Sequence, residues 1–259
     1  MKAVLLIDAD SMIYNSCYCK KEEDPEGEGF VRSLETAQWK FDEGFHRVFN
    51  FFEENEHEVL GYRVFVQGNN NFRKIINPSY KINRLLTKKP PMFEGLREDV
   101  IERYGAYVPN GVETDDCIAA TWKSLKETWG DEFVPVIVSP DKDYKQLPEM
   151  MFFDYYYTRF NLYYYSEQDA MYNLAKQMLM GDSTDGVIGI PKIGEKKAEK
   201  ILGHADSKFS LLRRVWSAYL SHYKTKNKAY KAMVMNYLML KLHTENIEIP
   251  EYPFEFNQP

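Results

Sequence analysis

Gly181-Asp182-Ser183-Thr184-Asp185-Gly186-Val187-Ile188-Gly189-Ile190-Pro191-Lys192-Ile193-Gly194-Glu195-Lys196-Lys197-Ala198 decides how the rest of the chain is read. Two carboxylates three residues apart follow an apolar helical run, then comes a short Gly/Pro-rich turn, then a lysine-bearing helix start. Pro191 removes an amide donor, and Gly189 and Gly194 favour tight turns, so a new helix starts near Glu195. Helix N-termini carry partial positive charge. The amides of Gly194, Glu195 and Lys196, with the side chains of Lys192, Lys196 and Lys197, therefore form a phosphate seat. The same residues also suit an ordinary turn between two surface helices with solvated lysines. Asp182 and Asp185 bear on that choice, because bare acids would repel the phosphates the turn is suited to hold. A divalent metal between them removes the conflict.

At 259 residues and 44% hydrophobic, the chain can bury a sizeable core as one large domain or a domain plus a subdomain. It holds no run of eighteen or more apolar residues, and Met1 to Asp8 is a short apolar run ended by an acid rather than a signal peptide. These features predict a cytoplasmic protein that does not enter a membrane. The cysteines Cys17, Cys19 and Cys117 are odd in number and lack metal-site spacing, so they read as reduced structural thiols and not as a zinc site. A net charge of −6 argues against nucleic-acid binding when taken as a sum. Its distribution argues the other way: the acids fall in a few blocks, and Lys and Arg cluster over residues 73–89 and 192–200.

Ala3 to Asp8 reads as a strand buried on both faces of a parallel sheet, with Asp8 at its carboxyl end. Open α/β sheets place their sites at that edge, making Asp8 a candidate ligand and Asp10 an auxiliary one; capping of a helix from Ser11 is the other use for Asp8. Residues 20–33 read as a surface loop, and 33–55 as a long amphipathic helix with an aromatic core stripe. Tyr62 to Val66 and Phe133 to Val138 are further strands. Thr114 is the expected N-cap of a helix running to about Glu127, with Asp115 and Asp116 in its first turn, where acids also favour the helix dipole. Asp141 and Asp143 can point to one side after the 133–138 strand. Lys81 and Arg84 share one face of a helical turn suited to a phosphate, and Tyr80 offers a ring for a base or sugar. Phe152 to Tyr165 reads as a tyrosine-rich hairpin, whose rings serve packing before stacking. Helices are expected over 168–180, 207–222 and 226–243.

The string GDSTDGVIGIPKIGEKKAEKIL resembles the helix-three-turn-helix signature of the 5′-nuclease superfamily, which includes flap endonucleases and phage 5′ to 3′ exonucleases. Tyr80-Lys81-x-x-Arg84, Glu113-x-Asp115-Asp116 and Asp141-Lys142-Asp143 follow that family's blocks in order, and the likeness runs from about Val4 to Leu202. The resemblance implies an α/β fold with a central, mostly parallel sheet flanked by helices, PIN-like over residues 1–166, with an arch over 78–97. A helical subdomain with a helix-hairpin-helix would cover 167–259. It implies metal binding by Asp8, Glu113, Asp115, Asp116, Asp141, Asp143, Asp182 and Asp185, with Asp116 also able to act through water. Lys81 and Arg84 would clamp the scissile phosphate, and Lys88 and Lys89 would guide the strand. Tyr80, Lys192, Gly194, Lys196 and Lys197 would contact nucleic acid.

All-oxygen ligation selects two Mg²⁺ or Mn²⁺ ions, about 4 Å apart, and the family's hairpin also takes K⁺. The implied activity is 5′ to 3′ exonuclease and 5′-flap endonuclease cleavage of DNA by a monomer, extending to RNA in RNA–DNA hybrids. A PIN-like ribonuclease and a non-catalytic DNA-junction binder are the alternatives. The second is motivated by a departure: where the family carries an acid before its Phe-Arg or Trp-Arg pair, this chain has only Gln67, Gly68 or Asn69.

Overall fold

The computed structural model describes residues 1–20, 27–205 and 207–250. Part of the loop expected over 20–33 and the tail after Pro250 therefore lie outside the described residues. Strands β1 (Lys2–Asp8), β2 (Glu58–Phe65), β3 (Val134–Val138), β4 (Met150–Asp154) and β5 (Asn161–Tyr165) form a sheet in the order β2-β1-β3-β4-β5. The first four are mutually parallel, and β5 returns antiparallel on β4 as the hairpin foreseen in the tyrosine-rich run. Burial on both faces explains the unbroken apolar run of β1, whose residues from Ala3 to Ile7 are wholly buried.

On one face lie α1 (Asp10–Ser16), α2 (Leu34–Glu54) and α4 (Phe93–Tyr104). Phe41, Phe45, Val48 and Phe52 of α2 recur at helical spacing and are buried against the sheet, each large side chain stabilising the fold by about 2 kcal/mol. Ser33 caps α2 by accepting the Thr36 amide at 3.2 Å. On the other face lies α5 (Thr114–Trp129), packed through Cys117, Ile118, Trp122 and Leu125. Its N-cap is Glu113, not Thr114; Thr114 begins the helix and its side chain turns toward Gln67 and Asp10.

A separate apolar cluster joins α6 (Glu167–Met180), α7 (Glu195–Leu202), α8 (Lys208–Tyr223) and α9 (Lys226–Leu240). After α9 the chain turns back, and Leu242 and Ile247 pack into the α5 core. Gln146 fixes this return by donating to the Leu240 carbonyl and accepting the Leu242 amide, both at 2.9 Å. The stretch expected as an arch is compact: a 3₁₀ turn over Ile82–Leu86 and the first turn of α4, preceded by the short helix α3 (Phe72–Ile76).

Candidate active site

The carboxyl ends of β1 and β3 and the N-terminus of α5 converge with the Asp182–Asp185 turn. That turn hangs from a two-stranded ribbon, β6 (Gly181–Asp182) against β7 (Val187–Ile188). Gly181 takes φ +73°, and a Cβ there would stand 2.2 Å from the Gly189 nitrogen, so only glycine permits this backbone approach. Asp182 Oδ1 accepts the amides of Thr184 at 2.8 Å and Asp185 at 3.4 Å, which closes the turn and aims both carboxylates into one cleft.

Asp8, buried at the end of β1, accepts Ser139 Oγ at 3.0 Å and Tyr144 Oη at 3.2 Å. Burial, then repulsion from Asp10 and Asp141, pushes its carboxyl up to about 7. Asp141 accepts the Asp143 amide at 2.9 Å. Asp143 accepts Gln177 Nε2 at 2.5 Å and is itself pushed up to about 7 by burial and by Asp141 and Asp182. Burial raises Asp182 as well, but Lys142 at 2.8 Å and the two turn amides outweigh it and hold that carboxyl below its usual range. Asp115 is raised well above its usual value, first by burial and then by Glu113 and Asp116. One oxygen from each of Glu113, Asp115 and Asp116 falls within 4.8 Å of the others. Carboxyls held up in this way are a donor set short of positive charge, and their hard oxygens fit a divalent cation such as Mg²⁺ or Mn²⁺.

Cations already enter the cluster from the protein itself. Lys81, with φ +55°, ion-pairs with Glu113 and reaches Asp185 at 3.4 Å, while Arg84 pairs with Asp185 at 2.6 Å. The two basic residues expected to share a phosphate thus converge on one acid. Lys88 and Lys89 are exposed and paired with Glu28 and Glu94. Lys192 and Gly194 lie in the exposed turn before α7, Lys196 and Lys197 are exposed in its first turn, and its N-cap Gly194 provides no side-chain cap.

One expected role does not survive the geometry. Tyr80 is 3% exposed, and its hydroxyl donates to Glu113 and Asp185, both at 2.9 Å, so its ring cannot stack on a base or sugar. Asp116 is fully buried, with both oxygens engaged by Arg73 and a further hydrogen bond, at 2.8 Å, from the His243 amide. Glu113 is engaged in the same way, by Lys81, Arg73 and Tyr80, so protein cations and donors hold both acids in the cluster.

Arg73 is the residue that sequence reasoning passed over. It is 1% exposed, donates to Asp116, reaches Glu113 at 3.0 Å, and also donates to the carbonyls of Met239 at 3.1 Å and Lys241 at 2.9 Å. The signals for it were the family's Phe-Arg pair, matched by Phe72-Arg73, and its place at the head of the basic cluster over 73–89. Arg159 was also missed as a site residue. It is held by buried Asp154 at 2.5 Å and lies near Pro140 at the mouth of the cleft.

At Gly68, one of the three positions where the family acid could fall, the backbone is closely covered. A Cβ on Gly68 would sit 1.7 Å from the Pro109 carbonyl oxygen, so no side chain fits. Asp10 occupies this corner, accepting the Gln67 amide at 2.9 Å and Thr114 Oγ1 at 3.4 Å, and burial raises its carboxyl.

The profile of the 5′-3′ exonuclease, N-terminal resolvase-like domain family matches residues 3–175. A 5′-3′ exonuclease of Buchnera aphidicola subsp. Schizaphis graminum is 26% identical over 244 residues, spanning 83% of this chain and 74% of that one. The exodeoxyribonuclease of Enterobacteria phage T3 is 32% identical over 127 residues, or 48% of this chain and 41% of the phage protein. Among solved structures, the bacteriophage T5 flap endonuclease in complex with DNA and metal ions superposes with a TM-score of 0.56 at 15% identity, covering 92% of this chain and 99% of that one. The catalytic core of Rad2 with a DNA substrate gives 0.57 at 12% identity, covering 98% and 82%.

Proposed function

Because the chain belongs to the 5′-3′ exonuclease family, we propose that it is a divalent-metal-dependent 5′ to 3′ exonuclease that also cuts DNA at 5′ flaps and removes RNA from RNA–DNA hybrids. The observation that carries this reading is the convergence of Asp8, Glu113, Asp115, Asp141, Asp143, Asp182 and Asp185 with Lys81 and Arg84 at one sheet edge, next to the Gly194 turn. Asp8, Glu113, Asp115, Asp116, Asp141, Asp143, Asp182 and Asp185 would hold two ions. Such ions supply charge neutralisation at the phosphate and a more acidic attacking water. With Glu113 and Asp185 as ligands of such ions, Lys81 and Arg84 would be free to meet the oxygens of the scissile phosphate and stabilise developing charge there. None of the five histidines lies in these acidic blocks, and the reading needs no histidine base. Arg73 and Asp116 hold Glu113 in place from behind.

In this reading residues 1–166 carry the chemistry together with Asp182 and Asp185, and the rest of 167–259 grips duplex backbone through Lys192, Gly194, Lys196 and Lys197, with K⁺ at the turn. The grip fixes the distance from duplex to cut. The test is cleavage of 5′- and 3′-labelled duplex, 5′-flap, hybrid and single-stranded RNA substrates with Mg²⁺, Mn²⁺ or EDTA, for the parent, Asp141→Asn and Asp182→Asn. Metal-dependent release from 5′ ends, lost in both variants while DNA binding persists in Ca²⁺, is the expected result. Unchanged turnover in the variants would sink the site. The side chain that Gly68 excludes favours one other reading, a non-catalytic junction binder, which tight binding without cleavage would establish. Cutting of the single-stranded RNA alone would point to a ribonuclease.

A further inference from the structure

Cleavage near a 5′ end requires a place for the unpaired segment beyond the scissile bond, and this inference rests on the nuclease reading above. Beside the acids opens a cleft of about 980 Å³ lined by Arg84, Lys89, Arg97, Arg159, Tyr14 and Phe93. The cleft leads onward. Asn15 and Tyr156 line both this cleft and a second pocket of about 440 Å³ between α1, α2 and the turn joining β4 to β5. That volume is in the range of sites for small organic ligands, on the scale of one nucleotide.

The second pocket carries the two features that unpaired nucleic acid needs. At its rim, Tyr157 is 73% exposed, and its ring centroid lies 4.7 Å from that of Tyr156. Arg159 sits over Tyr156 at 4.7 Å, and Arg47 over Phe160 at 4.9 Å. Lys40 adds a further positive charge to the lining, and Glu43 is the acid there. The tip is pre-organised. Buried Asp154 accepts both the Tyr156 amide at 3.0 Å and Arg159 Nε at 2.5 Å, and the Arg159 amide closes on the Tyr156 carbonyl at 2.8 Å. Core packing does not account for a ring as exposed as that of Tyr157. A rigid aromatic tip with cations around it matches the combination by which proteins hold single strands without reading sequence.

We propose that the β4–β5 tip and the pocket behind it form a binding site for the single-stranded 5′ segment, with bases stacking on Tyr156 and Tyr157 and phosphates meeting Arg47, Lys40 and Arg159. The site continues the catalytic cleft around α1, so it is filled only by substrates whose 5′ segment extends well past the cut. Flap length, and not flap sequence, governs its occupancy.

The test is equilibrium binding, by fluorescence anisotropy in Ca²⁺, of duplexes bearing no flap, a one-nucleotide flap or an oligo-dT flap of about eight nucleotides. The parent protein is expected to bind the long flap roughly tenfold more tightly than the short one. Tyr157→Ala, Tyr156→Ala and Arg47→Ala lose that gain and leave flapless duplex binding unchanged, whereas Tyr157→Phe, which keeps the ring, retains it. Loss of the gain in the alanine variants with retention in Tyr157→Phe supports the site. A parent that binds and cuts duplex but gains nothing from flap length, or alanine variants that keep the gain, would overturn the site alone. A parent that binds no DNA would overturn both it and the nuclease reading.

Discussion

Replacing Arg73 with methionine tests what holds the acid cluster in place. The guanidinium is buried and spends its donors on Asp116, Glu113 and the carbonyls of Met239 and Lys241. Removing it leaves the Asp116 carboxylate charged in the interior with one remaining hydrogen bond, from His243. Stripping one partner from a buried ion pair costs about 3–5 kcal/mol, and each carbonyl left without its donor adds about 1 kcal/mol. Glu113 keeps Tyr80 and Lys81 and loses little. The sum, about 5 kcal/mol after partial relaxation, is a large share of the roughly 5–15 kcal/mol that holds a domain together.

The assay is urea unfolding of Arg73→Met, Asp116→Leu and the double variant, read as a double-mutant cycle. Arg73→Met is expected to lose about 5 kcal/mol, and the double variant to recover about 3 kcal/mol of it, because an apolar pair leaves no stranded charge. A single-variant loss below about 1 kcal/mol, or a coupling energy indistinguishable from zero, would refute the reasoning. Mg²⁺ affinity of the double variant, measured by calorimetry, should still fall, since it lacks one carboxylate of the Glu113, Asp115 and Asp116 group.

Lys196→Ala with Lys197→Ala should weaken duplex binding and flatten the plot of log affinity against log salt by about 2, one for each phosphate that no longer meets a lysine; an unaltered slope removes the turn before α7 from the interface. Gly68→Asp, which would put an acid at one of the three candidate positions, should lower the melting temperature by about 8 °C, because the Pro109 carbonyl must move to admit a Cβ. Calorimetry showing a stable variant would mean that the close approach is not rigid. Asp8 and Asp143, pushed up to about 7 in the folded metal-free protein, hold protons that the unfolded chain releases near pH 4. Their contribution to stability is therefore complete below about pH 4 and is lost as pH rises through about 7, the window in which Mg²⁺ affinity grows. Melting in EDTA and in Mg²⁺ at about pH 5 and 8 checks the sign: EDTA should cost more at the higher pH.

The elements that position the site were legible because local patterns fix them. β1 announces itself as an apolar run closed by Asp8, and α6 followed by the Asp182–Asp185 turn and the α7 start is written in glycine, proline and lysine spacing. What stayed hidden depends on distant partners. Arg73 meets Asp116 across 43 positions and the Lys241 carbonyl across 168, and no local pattern encodes either pairing. Tyr80 looked like a surface ring because its neighbours in sequence are polar, yet Val187, Met239 and Leu240 bury it. Asp116 carries the same motif signature as Asp115, and only the direction in which each faces from the first turn of α5 decides that Asp116 is the one paired with Arg73.

The return of the chain after α9 has a consequence for biosynthesis. The carbonyls of Met239 and Lys241 and the amide of His243 complete the shell around Arg73 and Asp116, although the acids they support are encoded far upstream. A ribosome releases Asp8, Glu113 and Asp185 long before it releases residue 243. A nascent chain without those hydrogen bonds carries the acidic residues but not the finished arrangement, so the centre is completed only once residue 243 has emerged.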